Sequence, residues 1–530
     1  MKGISSMKTF SGLAALFLAT VSACADVTLN AIFDDHMVLQ RDIAVSVYGK
    51  AEPGEKVTVA FAGQTKSATA DKDGAWCVKL DAMKACTNSA TMTVTGPASP
   101  EGSAAASKNK IVIKDVVVGD VWICSGQSNM DFTPGAYHNS LDPKPYDEKD
   151  FNFPLLRQFH LVNEPSMRPE TEVKVHRGNG TSEEDAAWLP CKPTTGNRFT
   201  AVGLYFGRKL QMETGVPIGL IKTAWNGTRI EPWISPAGLA SVKELPPVTG
   251  LPAEYKSDGG YPSTWHCLYN GKIHPLIRYG IKGAIWYQGE SNGDEGETYY
   301  QKLRALIGGW RTAWGEGDFP FYLVQLAGRF SSDYTPAGKD PAGGDGWAKI
   351  RMAQFKALTI PHTGMAVAMD VADVREPGDI HPKNKRDVGE RLALWALAKD
   401  YGKRELVYSG PLYTQMKIEG DKIRIIFDSV GSGLTVATKK GFAPVVKEPQ
   451  GKLKRFAIAG EAPSSPGGSA AARKKWVWAD AVIDGKTVVV SSPAVSKPVA
   501  VRYAYTMSGD DCNLYNNEGL PASPFRTDDW

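Results

Sequence analysis

The spacing of apolar residues changes character twice along the chain. Between residues 27 and 94, short alternating runs lie between turn residues: Ala44-Val45-Ser46-Val47-Tyr48-Gly49, then Pro53-Gly54, then Val57-Thr58-Val59-Ala60-Phe61, then Asp73-Gly74. Period-two alternation punctuated by Gly, Pro and Asp predicts an antiparallel sandwich. From residue 111 the apolar runs become continuous, at 116–124, 217–225, 281–287, 319–326 and 365–371, and read as buried strands. Helical spacing appears between them: Val202, Tyr205, Phe206 and Leu210, stopped by Gly215; Tyr299, Leu303, Leu306, Ile307, Trp310 and Trp314; residues 347–358; and Val388, Leu392, Trp395 and Tyr401. Strands alternating with helices predict a parallel sheet covered on both faces. Beyond about residue 406, strand-and-turn runs return at 422–427, 453–457, 476–479, 487–491 and 500–505.

The chain is therefore expected to hold an α/β domain at 113–404 between β domains at 26–112 and 405–530. Residues 96–110 and 460–474 read as low-complexity loops, about 229–270 as an insertion with little regular structure, and the stretch from the Ser128 strand to about Asn197 as a long polar region. In a parallel sheet, ligands bind beyond the carboxyl ends of the strands. The polar clusters fall there: Ser125-Gly126-Gln127-Ser128-Asn129-Met130, Asn226-Gly227-Thr228, Gln288-Gly289-Glu290-Ser291-Asn292 and Asp379-Ile380-His381-Pro382.

Composition narrows the partners. The 530 residues are 42% hydrophobic and 22% charged, as in globular proteins, and a formal net charge of +4 provides no basic field for nucleic acid. Lys2 and Lys8, an apolar run at 10–23 and small residues after it read as a leader, too short to span a bilayer. Residues 1–25 are thus expected to direct export to the periplasm, the cell surface or outside. Cleavage before Asp26 competes with lipidation of Cys24, the one membrane attachment expected. Cys77, Cys86, Cys124, Cys191, Cys267 and Cys512 remain, an even number that permits disulfides without fixing a pairing, and no CxxC or His-rich tract points to a metal.

A serine hydroxyl needs an imidazole to take its proton, and a carboxylate usually orients that imidazole. Ser128 is the candidate nucleophile. Of eight histidines, His381 is the one that combines a nearby carboxylate, Asp379, with a post-strand loop and a following helix, for which Pro382 suits the first position. The backbone N–H of Ser128, that of Gly227 and a side-chain amide from Gln288 or Asn292 are candidate oxyanion donors. Ser128 lacks the GxSxG elbow of typical α/β-hydrolases.

Gly-Gln-Ser-Asn-Met at 126–130, Trp-Asn-Gly-Thr at 225–228, Trp-Tyr-Gln-Gly-Glu-Ser-Asn at 286–292 and Asp-Ile-His-Pro at 379–382 resemble the motif blocks of SGNH-type hydrolases, and more narrowly the sialate O-acetylesterase family. His36-Met37-Val38-Leu39-Gln40-Arg41 and Asn513-Leu514-Tyr515-Asn516 through Ser523-Pro524-Phe525 extend the resemblance to nearly the whole mature chain. It implies a flavodoxin-like α/β/α sandwich with flanking β-sandwich-type domains, and metal-free, cofactor-free removal of O-acetyl groups from sugars. It makes Ser128 the nucleophile and His381 the base, with Ser128, Gly227 and Gln288 (Asn292 in reserve) in the oxyanion hole. The last block of such enzymes is Asp-x-x-His, whereas Asp379 stands two residues before His381. Glu290 is therefore a rival acid, with Asp370 and Asp373 behind it. O-acetylated sialic acid is the first substrate expected and acetylated xylan the alternative. Arg229 and Arg329 are weighed as partners for a sialate carboxylate, and the 329–346 loop as a cover for the site. A non-catalytic carbohydrate-binding protein and an SGNH lipase or thioesterase are the other readings. Oligomeric state is not fixed by the sequence.

Overall fold

One strand organises the molecule, and it is longer than its apolar run. In the computed structural model, which describes residues 26–96, 109–135, 151–174, 187–329, 340–372, 379–461, 474–509 and 511–530, β1 (Lys110–Gly126) runs seventeen residues. Its first half pairs antiparallel with Cys86–Thr95 and parallel with Val38–Gln40. Its second half lies in a sheet with β2 (Phe153–His160), β3 (Trp188–Cys191), β4 (Ile218–Lys222), β5 (Gly283–Tyr287), β6 (Phe321–Gln325) and β7 (Thr363–Val367), in the order β3-β2-β4-β1-β5-β6-β7. All neighbours are parallel except edge strand β3, which is antiparallel to β2. The strand thus crosses the boundary drawn at 112/113 without a break, and the leading β strands share its hydrogen bonds.

Both faces of the sheet are covered. Trp122 packs edge-on against Phe206 of α2 (Ala201–Thr214), with ring centroids 5.0 Å apart. Trp286, beside Ser125 in register, packs against Trp310 of α3 (Glu297–Trp314) at 6.1 Å and 90°. Odd and even strand positions point to opposite faces, so these helices lie on opposite sides. The aromatic and Leu stripe expected from Tyr299 to Trp314 is buried in α3, and Gly215 ends α2 in the left-handed conformation (φ 69°). α4 (Ala348–Lys356) and α5 (Lys385–Lys399) complete the layers; α1 (Ser128–Asp131) is the single turn after β1.

Four expectations are corrected. The polar stretch before Asn197 contains β2 and β3, because Arg157 and Gln158 are buried with partners: Arg157 donates to His36 O at 2.8 Å, and Gln158 Oε1 accepts Thr200 N–H at 2.9 Å. The 229–270 insertion carries a helical turn at Pro236–Ser241 and buries Ile230, Trp233 and Ile234. β7 stops at Val367, and Met369–Val371 turns away so that Asp370 meets Arg391 at 2.6 and 2.7 Å. Pro382 is not the first residue of α5: Asn384 accepts the Asp387 N–H at 3.1 Å and caps a helix that starts at Lys385.

The two terminal motifs act as staples on this sheet. Gln40 Oε1 accepts Val121 N–H at 2.8 Å, and Gln40 and Arg41 hold the buried Asp120 at 3.0 and 2.9 Å. At the other end Ser523 exchanges hydrogen bonds with Gln325 of β6, and Tyr515 donates to Asp370 at 3.1 Å. The C-terminal part holds two four-stranded sheets, Leu412–Glu419, Lys422–Asp428, Asp480–Asp484 and Thr487–Ser491 in one, Phe456–Glu461, Lys474–Trp478, Pro498–Tyr503 and Phe525–Arg526 in the other. Among the described residues no cysteine is in a disulfide; burial raises the Cys124 thiol and pushes Cys191 and Cys267 up to about 12. Residues 1–25, 97–108, 330–339, 373–378 and 462–473, and with them Cys24 and Asp373, lie outside the described residues.

Fully buried Arg351 joins the α/β layers to the C-terminal strands by donating to Leu326 O, Ala327 O, Thr506 O and Met507 O at 2.6–2.9 Å. Arg351→Met leaves four carbonyls without this donor. It is expected to cost on the order of 3 kcal/mol, read as a clear fall in Tm.

Candidate active site

The site is built at the carboxyl end of β1. Gly126 has φ 134°, and a Cβ there would fall 2.1 Å from Tyr287 O, so the chain passes β5 only as glycine. Gln127 N–H donates to Tyr287 O (3.0 Å) and Trp225 N–H to Gly126 O (3.1 Å), fixing the turn between its neighbours. Ser128 opens α1 with 6% of its surface exposed. Its Oγ lies 2.9 Å from His381 Nε2. Asp379 Oδ1 accepts the backbone N–H of His381 at 2.8 Å and lies 3.2 Å from the ring Nδ1. Phe132 closes on the imidazole edge-on, with centroids 4.6 Å apart. A proton on Nδ1 faces the carboxylate, leaving Nε2 to accept the serine proton.

Burial holds the His381 imidazole below its ordinary 6.5; the nearby Lys385 charge pushes the same way and Asp379 pulls against it. A base works while neutral, and neutrality here persists to lower pH. The acid limb of kcat/KM, which follows the free enzyme, is therefore expected below pH 6.5. Lys385→Met should move that limb upward, because one of the charges opposing imidazolium is gone. A pH–rate profile of both proteins checks this, and an unmoved limb sinks it.

Against this geometry the comparisons with known proteins are decisive. Residues 118–398 match the family model described as "Carbohydrate esterase, sialic acid-specific acetylesterase". The human sialate O-acetylesterase is 34% identical over 420 residues, covering 73% of this chain and 74% of that protein. The mouse sialate O-acetylesterase is 30% identical over 468 residues, covering 77% and 80%. A carbohydrate acetylesterase from Xanthomonas citri superposes with a TM-score of 0.75 at 35% identity, covering 95% of this chain and all of that one. The chain belongs to the sialic acid-specific acetylesterase family of carbohydrate esterases.

For an esterase of this family, the third motif block is arranged differently from expectation. Gln288 is fully buried, its Nε2 directed at Gln127 Oε1 (3.1 Å), Thr228 O (3.2 Å) and Asn292 Oδ1 (2.9 Å), while its Oε1 accepts the Tyr299 hydroxyl at 2.7 Å. Asn292 Nδ2 donates to Glu231 Oε2 at 3.1 Å and Glu295 Oε1 at 2.9 Å. Both amides are thus engaged in joining three post-strand loops rather than presented to an acyl oxygen. Gly227 (φ 68°) lies in a turn closed by Thr228 Oγ1 on Trp225 O at 2.8 Å and held by Ser291 Oγ on Gly227 O at 3.0 Å. Its backbone N–H and that of Ser128 donate to no described residue.

The rival carboxylates are elsewhere. Glu290 makes no ion pair with His381; its Oε1 accepts from Asn129 Nδ2, its Oε2 is buried without a hydrogen-bond partner among the described residues, and burial raises its carboxyl. Asp370 is taken by Arg391. Arg229 is committed to Glu295 (2.5 Å), Glu231 (3.4 Å) and Ser291 O (2.9 Å). Arg329 donates its backbone N–H to Met507 O at 3.3 Å, and much of the loop after it is undescribed.

Sequence reasoning missed Asn129 and Lys385. Asn129 Nδ2 also donates to Ile380 O at 3.0 Å, and Lys385 Nζ donates to Asn129 Oδ1. Asn129 therefore ties the serine turn to the histidine loop across 251 residues of sequence. Its place beside Ser128 in the quoted motif was the available signal; Lys385, one turn past His381, gave none, since a lysine opening a helix reads as solvated. Among the described residues no group of three His, Cys, Asp or Glu is arranged to hold a metal.

Proposed function

We propose that this esterase removes O-acetyl groups from sialic acids through an acetyl-enzyme on Ser128, on an SGNH-type flavodoxin-like scaffold. The observation that carries this reading is the 2.9 Å approach of Ser128 Oγ to His381 Nε2, with Asp379 on the far side of the ring. His381 Nε2 takes the hydroxyl proton as Oγ bonds to the acetyl carbon. The oxyanion forms against the N–H groups of Ser128 and Gly227, which donate to no acceptor among the described residues. Collapse breaks the ester C–O bond, and His381 returns its proton to the sugar oxygen. Water, deprotonated by His381, then releases acetate and regenerates the hydroxyl.

The sialate assignment draws on the family and on the named activity of the human and mouse relatives. The apolar run at 10–23 supports export, with cleavage before Asp26 or lipidation of Cys24 as the two maturation routes. No described helix is long and apolar enough to cross a membrane. Acetate release from 9-O-acetyl-N-acetylneuraminic acid and from acetylated xylan, measured side by side, tests the substrate. A higher kcat/KM on the sialate is expected; preference for xylan overturns the sialate assignment, and release from neither overturns the acetylesterase reading.

A further inference from the structure

An aromatic ring lies on the oxyanion turn with much of its surface open to water. Tyr261 is 60% exposed. A Cβ built on Gly227 would fall 2.3 Å from Tyr261 Cδ2 and Cε2 and 2.6 Å from Cγ, so the ring rests directly on the Gly227 backbone. The segment behind it is anchored: Pro262 is buried, His266 Nδ1 meets Ile234 O at 2.7 Å, and His266 N–H donates to Glu231 O at 3.4 Å. Among the described residues the other large exposed aromatics, Trp478 and Trp530, belong to the C-terminal β part. Among the described residues, Tyr261 is thus the large exposed aromatic ring that touches a loop of the site, and Trp225, two residues before Gly227, is itself only half-buried.

Resting on the proposed deacetylation, we propose that Tyr261 is the stacking platform for the pyranose ring that carries the acetyl ester. An acyl oxygen held at the Gly227 N–H puts the attached sugar within a few bonds of the turn the ring covers. The C–H bonds of a pyranose face meet the negative face of an aromatic ring favourably, and a tyrosine supplies that surface with little entropy to lose. Glycine at 227 serves both ends: it lets the N–H approach the oxyanion and lets the ring lie flat against the backbone.

The test uses the full-length protein and two acetyl esters, 9-O-acetyl-N-acetylneuraminic acid and ethyl acetate. Ethyl acetate carries no ring; a nitrophenyl ester is avoided because its own ring would stack. Tyr261→Ala is expected to lower the ratio of kcat/KM for the sugar ester to that for ethyl acetate about tenfold, mainly through KM. Tyr261→Phe, which keeps the ring, restores the ratio. A ratio unchanged in Tyr261→Ala overturns the platform and leaves the esterase reading standing. So does an equal loss on both esters, which would make the ring a mere support of the turn. Absence of acetate release from either ester by the unaltered protein would instead sink the underlying esterase reading.

Discussion

Ser128→Ala is expected to lower turnover of an O-acetyl ester by a factor on the order of 10⁴ to 10⁶, with Tm close to that of the parent. The size follows from what the proposed mechanism would lose: the oxygen that would bond to the acetyl carbon, with no other hydroxyl positioned against His381 Nε2 among the described residues. Stability should be nearly indifferent. Ser128 is buried at 6% exposure, but its hydroxyl has the imidazole as its one hydrogen-bond partner among described side chains, and its methylene is retained in alanine. His381→Ala should lose a similar factor, and the double variant little more, because the two act as one unit. Acetate release at saturating ester decides it. Undiminished release by Ser128→Ala removes the serine from the mechanism.

The second large effect separates the carboxylates. Asp379→Asn is expected to reduce kcat by about 10² to 10⁴, whereas Glu290→Gln should change it far less and act mainly on stability and pH profile. An amide at 379 can offer Nδ2–H to the ring, which favours the tautomer with its proton on Nε2, the wrong one for a base facing Ser128. Asp379 is 3.2 Å from Nδ1 and partly open to water, which puts the loss at the lower end of that range. Glu290 instead faces Asn129, and its charge offsets that of buried Lys385. Removing it leaves Lys385 with less compensation and loosens the Asn129 link between the serine and histidine loops. Measured kcat for both variants discriminates: a larger loss in Glu290→Gln transfers the orienting role to Glu290, and unaltered rates in both leave a Ser–His dyad.

Ser128, Gly227 and His381 were legible because parallel strands announce themselves as continuous apolar runs, and the residues just past them have one place to go. Tyr299 to Trp314 was legible because six large side chains at helical spacing have no other way to be buried together. What hid from the sequence was polar and buried at once. Arg157 and Gln158 sit in a strand that reads as loop, because only the folded chain supplies the His36 and Thr200 backbone partners that make their burial affordable. Gln288 and Asn292 lie in the expected motif, yet which acceptor an amide chooses depends on Gln127, Thr228 and Glu231 arriving from other strands. Pro382 suits a helix start by its fixed φ, but the side-chain acceptor of Asn384 gave the stronger one.

The uninterrupted strand that ends at the serine has a practical meaning. A domain cut at residue 118, where the family match begins, would sever it within the Val38–Gln40 pairing, just short of the central sheet. The cut would part Cys86, Leu39 and Gln40 from their partners at 118 and 119 and take Gln40 and Arg41 away from Asp120. The leading strands are better regarded as the anchored end of a lever whose free tip carries Ser128. Swapping or trimming them to change what the protein binds would be felt at Ser128.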